Sequence, residues 1–183
     1  LLPYLQKKKK DTGRTMVFAG RERHASARYH NLGYPTRALR TKDFLYIRNF
    51  RPERWPAGDP CAIDKNGKTG AMHSAYHDID QCPAWDFIVA NRDDREIYPY
   101  FLKAAGKRPY EELYNVSSDP GCLHNLIGNG KYTEKLNNLR KEMDKLLKKT
   151  KDTRYLDDPT QDDIWETYPR LSGAMRTFPE PLF

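Results

Sequence analysis

Residues 106–149 read GKRPYEELYNVSSDPGCLHNLIGNGKYTEKLNNLRKEMDKLLKK and hold the clearest structural signals in the chain. In the second half, Tyr132, Leu136, Leu139, Met143, Leu146 and Leu147 step by 4, 3, 4, 3 and 1, which gathers them into one apolar stripe. Gly128 and Gly130 precede the stripe, and Lys148, Lys149 and Lys151 load its far end, where cations suit the helix dipole. The spacing predicts a helix over Lys131–Lys149. In the first half, ELYNV (Glu112–Val116) reads as a short strand closed by the turn signal Ser117-Ser118-Asp119-Pro120-Gly121.

Working outward, RALRTKDFLYIRNF (Arg37–Phe50) reads as a β-hairpin with Thr41-Lys42-Asp43 at its turn. On its second arm Phe44, Tyr46 and Arg48 share one face, and Leu45, Ile47 and Asn49 the other. TMVFAGRERH (Thr15–His24) begins as a strand and ends in charge. Residues 51–83 are rich in Gly, Pro and Asp and read as a long ordered loop, of a length that is usually functional or poorly ordered. Trp85–Phe101 has mixed spacing that fits a helix. Lys7–Lys10 reads as a solvated linker, with phosphate binding the alternative. Residues 156–183 carry Pro159, Pro169, Pro179 and Pro181 without a period and read as an irregular tail; residues 1–155 form the preceding unit.

Composition narrows the function. The 183 residues carry 32 Lys plus Arg against 25 Asp plus Glu, a net charge of +7. Leu, Ile, Val and Phe make up only about 19% of the chain, near the lower edge for a domain with a full core. Twelve Tyr and three Trp offset part of the shortage, and the reading is a thin core with apolar surface meant for a partner. No apolar run approaches the roughly 20 residues a membrane span needs, and no stretch has the pattern of a secretory signal. The opening Leu1-Leu2-Pro3-Tyr4-Leu5, without Met, reads like the interior of a longer sequence. Cys61, Cys82 and Cys122 show no metal spacing and allow at most one disulfide.

The densest charged cluster is Arg21-Glu22-Arg23-His24, followed by Arg28 and His30. Guanidinium forks and an imidazole at a strand end suit sulfate, phosphate or carboxylate; a salt-bridged surface patch around Glu22 is the alternative. His73 and His77 lie four apart, as two ligands on a helix would, but their surroundings are not helical and ordinary loop histidines are the simpler reading. The pairs Asp93-Asp94, Asp157-Asp158 and Asp162-Asp163 read as solvated turns. Nucleophile elbow, phosphate-binding glycine loop, zinc-protease and dinucleotide motifs do not occur. The chain does not read as a complete enzyme.

Gly106–Ile127 resembles the C-terminal signature of type I, formylglycine-dependent sulfatases, in which an ELYDL-like strand is followed by a turn, DP and NL. Val17–Gly58, VFAGRERHASARYHNLGYPTRALRTKDFLYIRNFRPERWPAG, is similar to the sulfamidase, or heparan N-sulfatase, branch, where GYP-x-R-A-x-R-T leads into a YLYIRNF-like strand and a W-P-x-G loop. His77-Asp78-Ile79-Asp80 with Pro83 resembles a GDIDxSPT loop, with Cys82 and Ala84 where Ser and Thr are common. The resemblance spans residues 1–155, and its opening matches the start of the smaller C-terminal subdomain.

The resemblance implies an α+β fold, a small antiparallel sheet packed with one long C-terminal amphipathic helix and long ordered loops, docked on an alkaline-phosphatase-like α/β domain. It implies a hydrolase acting on sulfated sugars, by sulfuric ester or N-sulfate cleavage, of which this chain supplies part of the substrate pocket and no nucleophile. The expected substrate-binding residues are Glu22, Arg23, His24, Arg28, Tyr34 and Arg37. Calcium and formylglycine belong to the N-terminal catalytic part, since no Cys or Ser here stands in C/S-x-P-x-R; no metal residues are expected in this chain. Family members are periplasmic, secreted or lysosomal. The competing reading is a non-catalytic basic module for nucleic acid or an acidic polysaccharide, using Lys7–Lys10 and the lysines of 145–151; for nucleic acid it lacks interleaved aromatic and basic residues.

Overall fold

The computed structural model describes residues 2–8, 13–25 and 27–156, with the side chains of His30 and Leu156 excepted. The tail from 157 on, with its four prolines and two Asp pairs, and Lys9 and Lys10 of the lysine run lie outside these residues. A helical turn, α1 (Leu2–Leu5), precedes strand β1 (Met16–Arg21) and the hairpin of β2 (Thr36–Thr41) and β3 (Phe44–Asn49). A small ribbon follows, β4 (Cys61–Ile63) and β5 (Thr69–Met72), then helices α2 (Pro83–Ala90) and α3 (Tyr98–Ala105), strand β6 (Glu111–Asn115) and helix α4 (Thr133–Thr150). The main sheet is antiparallel in the order β1-β2-β3-β6, and β4 and β5 form a separate two-stranded sheet.

The hairpin closes through Lys42-Asp43, where the Thr41 hydroxyl bonds both the N–H and the C=O of Phe44, at 3.0 and 3.2 Å. Strand alternation then sorts every side chain to one of two faces. Leu39, Tyr46 and Leu113 meet Leu136, Leu139, Met143 and Leu147 of α4 in the main core, with Met16, Phe18 and Phe44 packed around it. The polar residues of that face bind the helix as well. Arg48 reaches Asp144 at 2.7 Å, and Glu111 takes Arg140 and the Tyr46 hydroxyl. Burial would raise the Glu111 carboxyl, but these donors outweigh it and hold it below its ordinary range. Helix α4 ends at Lys151, whose left-handed φ of 52° lets its N–H cap Leu147 and Lys148.

The α+β architecture, with its small antiparallel sheet and one long C-terminal helix, holds. Two elements differ from expectation. Trp85–Phe101 is two helices, because Asp94 caps a turn through Glu96 and Ile97 N–H and Pro99 starts a new helix. Residues 51–83 are not all loop: Asp64 accepts from Asn66 and Lys68 N–H to make the tip of the β4–β5 ribbon. That region, α2 and α3 build a second core of Tyr76, Trp85, Phe101 and Ala105 with Trp55 and Ile79. No helix among the described residues is long and apolar enough to cross a membrane.

Candidate functional site

The charged cluster that ends β1 is pulled apart by the chain path. After Arg21 the backbone leaves the sheet, makes a single 3-10 turn at Tyr29–Asn31 and returns at Gly33-Tyr34, where Tyr34 N–H donates to Glu22 O at 2.7 Å. Gly33 is required there, since a Cβ would stand 2.6 Å from that carbonyl oxygen. Glu22 therefore lies on the α4 side. It accepts from Arg37 Nη2 and from Arg154 Nε and Nη2, the last two at 3.1 and 2.6 Å. Arg37 also clamps Asp152 through Nε at 2.6 Å and Nη2 at 2.9 Å. Burial would raise the Asp152 carboxyl; the Arg37 fork and Arg154 N–H hold it below its ordinary value instead. This lattice ties β1 and β2 to the residues that follow α4.

Arg28 turns inward and is only 2% exposed. Its Nε and Nη2 donate to Trp55 O at 2.9 and 2.7 Å, Nη2 also to Pro56 O at 2.9 Å, and the guanidinium lies 5.7 Å from the Tyr34 ring centre. Burial draws it down to about 10, so it remains charged at neutral pH. Arg28 and Arg37, both expected at a sulfated sugar, are thus buried and bound to protein acceptors, while Arg28 Nη1 has no partner among the described residues. His24 and Arg23 behave differently. His24 is largely exposed, and its Nδ1 donates to the buried Asp78 carboxylate at 3.0 Å. Arg23 is half-buried and reaches Asn31 O at 3.4 Å.

Beside Arg28 lies Asp59, buried and accepting from Tyr29 N–H at 3.0 Å. Burial pushes its carboxyl up to about 6, against the pull of Arg28 and Arg54. A carboxyl whose folded pKa exceeds its unfolded value favours folding once protonated, so this group adds stability as pH falls through about 6. Between pH 7 and 5 the expected gain is on the order of 1 kcal/mol, and Asp59→Asn is expected to remove it from a urea-denaturation series. Asp152 and Glu111, held low, act in the opposite sense at lower pH, where protonating them loses stability.

The face of the sheet turned away from α4 forms the floor of a hollow of about 380 Å³. Thr36, Ala38, Ile47, Asn49 and Glu112 supply the floor, and Tyr34, Ala57, Asp78, Ala104 and Arg108 the walls, with Arg21 and His24 also lining it. Asn49 Nδ2 donates to Glu112 Oε1 at 2.8 Å, and the Tyr114 hydroxyl to Oε2 at 2.5 Å. The Tyr34 hydroxyl is buried and has no hydrogen-bond partner among the described residues. Burial and the charge on Glu112 push this phenol up to about 12, so it stays protonated.

Of the six expected site residues, only His24 and Tyr34 line this hollow. Sequence reading missed Arg108, Asn49, Glu112 and Asp78. Strand alternation places Asn49 and Glu112 on this face, but nothing local marks Arg108 as their neighbour.

A second hollow, about 450 Å³, lies along His73, His77, Asp80 and Trp85. Its histidines are structural: His73 Nδ1 bonds the Tyr76 hydroxyl at 2.7 Å, and His77 Nε2 donates to Cys61 O at 2.8 Å. Burial, with Arg92 nearby, favours neutral His73. Among the described residues no group of three or more His, Cys, Asp or Glu could hold a metal ion, and the three cysteines are free. The chain contains no C/S-x-P-x-R.

No family model matches the chain. Over 111 residues, 61% of the chain, it is 34% identical to the ulvan-active sulfatase of Formosa agariphila and is homologous to it there. The chain spans about a sixth of that relative, 16% of its length. Among solved structures it overlays on a candidate sulfatase from Bacteroides thetaiotaomicron VPI-5482 with a TM-score of 0.44 and 18% identity, covering 87% of this chain and 22% of that one. It also overlays on a 2-O GAG sulfatase with a TM-score of 0.43 and 17% identity, covering 92% of this chain and 24% of the other.

Proposed function

We propose that this chain is the C-terminal region, residues 1–155 plus a tail, of a sulfatase of the sulfamidase-like branch that acts on sulfated sugars. The observation that carries the reading is the 34% identity with a sulfatase over 111 residues. In this reading the chain contributes a wall of the substrate pocket, and the nucleophile and calcium come from an N-terminal catalytic domain of the same protein. His24 and Arg23, at the end of β1, face the sulfated sugar. Glu22, Arg28 and Arg37 hold the frame that presents them, through the contacts to Asp152, Arg154 and the 55–56 carbonyls. The location would follow the family: periplasmic, secreted or lysosomal.

The test restores the upstream sequence and measures sulfate release from glucosamine N-sulfate and glucosamine 6-sulfate, with and without calcium. Calcium-dependent release by the extended protein, and none by the 183-residue chain, is expected. Release by the 183-residue chain alone would overturn the reading, as would inactivity of the extended protein on every sulfated sugar tried.

A further inference from the structure

We infer that the hollow on the α4-free face of the sheet binds a hydroxylated ring bearing one carboxylate or sulfate, and that Tyr34, Arg21 and Arg108 recognise it. The inference rests on the reading of the substrate as a sulfated sugar and adds a location and three recognition groups to it.

Four observations carry it. The volume, about 380 Å³, falls in the range of small-molecule sites, roughly 300–1,000 Å³. The Tyr34 side chain is buried, 3% exposed, and its hydroxyl lacks a partner among the described residues. A buried hydroxyl left unpaired in a cavity wall calls for an acceptor or donor from outside. Both acids of the hollow are already engaged: Glu112 accepts from Asn49 and Tyr114, and Asp78 from His24. Among the described residues neither Arg21 nor Arg108 forms an ion pair, and Arg108 donates to the Lys103 carbonyl. Two guanidiniums lining the hollow without an ion pair offer their forks to an anion.

Ala38 and Ile47 of the floor and Ala57 of the wall add small apolar surface that suits the C–H face of a saturated ring. Tyr34 is the only Phe, Tyr or Trp among the described residues that line the hollow, and Arg28 lies against its ring. A stacked base therefore has no platform here.

The experiment is an amide NMR titration of the 183-residue chain with glucuronate, glucose 6-sulfate and unsubstituted glucose. Shifts are expected at Tyr34, Ile47, Asn49 and Arg108, with glucose binding roughly tenfold or more weakly than the better anion, the scale of a charge-assisted hydrogen bond. Comparing the carboxylate with the sulfate identifies which anion the site prefers. Tyr34→Phe is expected to weaken that ligand roughly fivefold, and Arg21→Ala or Arg108→Ala roughly tenfold. The spectrum of each variant reports its folding, and Arg21 is exposed, so its replacement does not endanger the fold.

Shifts confined to other surfaces, or affinities unchanged in Tyr34→Phe and Arg21→Ala, would overturn the inference. The two readings fail separately. Sulfate release by the extended protein without binding in the hollow removes this inference alone, whereas binding here without sulfate release upholds the site and removes the sulfatase reading.

Discussion

Replacing Glu22 by Ala is expected to lower the free energy of unfolding by about 3–5 kcal/mol, the scale for removing one partner from a buried ion pair. Arg37 and Arg154 are 5% and 4% exposed, so neither can recover its hydration when Glu22 is gone. Two guanidiniums would then stand beside the single carboxylate of Asp152. Because the lattice joins β1 and β2 to the segment after α4, the loss acts on the packing of the whole sheet against the helix. Glu22→Gln keeps hydrogen-bonding atoms but not the charge, and should fall between the wild type and Ala. Urea denaturation at neutral pH measures both. A loss below about 1 kcal/mol in Glu22→Ala is what a solvated surface pair would give, and would mean that the lattice opens to water in solution.

Arg28→Ala is expected to cost about 3–4 kcal/mol in the absence of any sugar. The side chain is the hydrogen-bond donor that the structure gives to Trp55 and Pro56 carbonyls at its buried end. Orphaning a buried acceptor costs about 1–3 kcal/mol, and the cavity left by the side chain adds to it. Arg28→Lys should recover little, since one ammonium on a flexible stem does not reproduce the two-pronged contact. Thermal denaturation of both variants separates this role from ligand binding. An arginine that served only to meet substrate would leave the free protein's stability unchanged, and that result would favour a sugar-contacting role for Arg28.

The difference between Glu22 and His24 shows how far the residues could be read in advance. Arg21-Glu22-Arg23-His24 looks like one anion cluster along the chain, yet its members diverge in space. Glu22 goes to the α4 side, because the return at Gly33 fixes its carbonyl to Tyr34 and the carboxylate finds partners 15 and 132 residues away. His24 goes to the opposite side and finds Asp78, 54 residues on. Local sequence carries the charge of such groups but not the identity of their partners. The hollow shows the same limit. Asn49, Glu112, Asp78 and Arg108 come from four segments, and only the antiparallel register, with Ile47 opposite Glu112 and Arg48 opposite Glu111, brings the first two together.

Elements with a strong local period were legible by themselves. The 4, 3, 4, 3 stepping in 132–147 can cover one face of a helix and nothing else, and α4 indeed buries Leu136, Leu139, Met143 and Leu147. Alternation in FLYIRNF likewise separated Tyr46 from Asn49 before any partner strand was known, because a strand's side chains must point to opposite sides. Trp85–Phe101 had no such period, and a cap at Asp94 with Pro99 broke it into two helices. The sequence by itself thus determined the sheet's hairpin, the long helix, the basic character of the chain and its kinship to a sulfatase. Tertiary structure alone decided which charges are locked in pairs and which face the hollow, because pairing across 15 to 132 residues depends on which faces the sheet turns toward α4 and away from it.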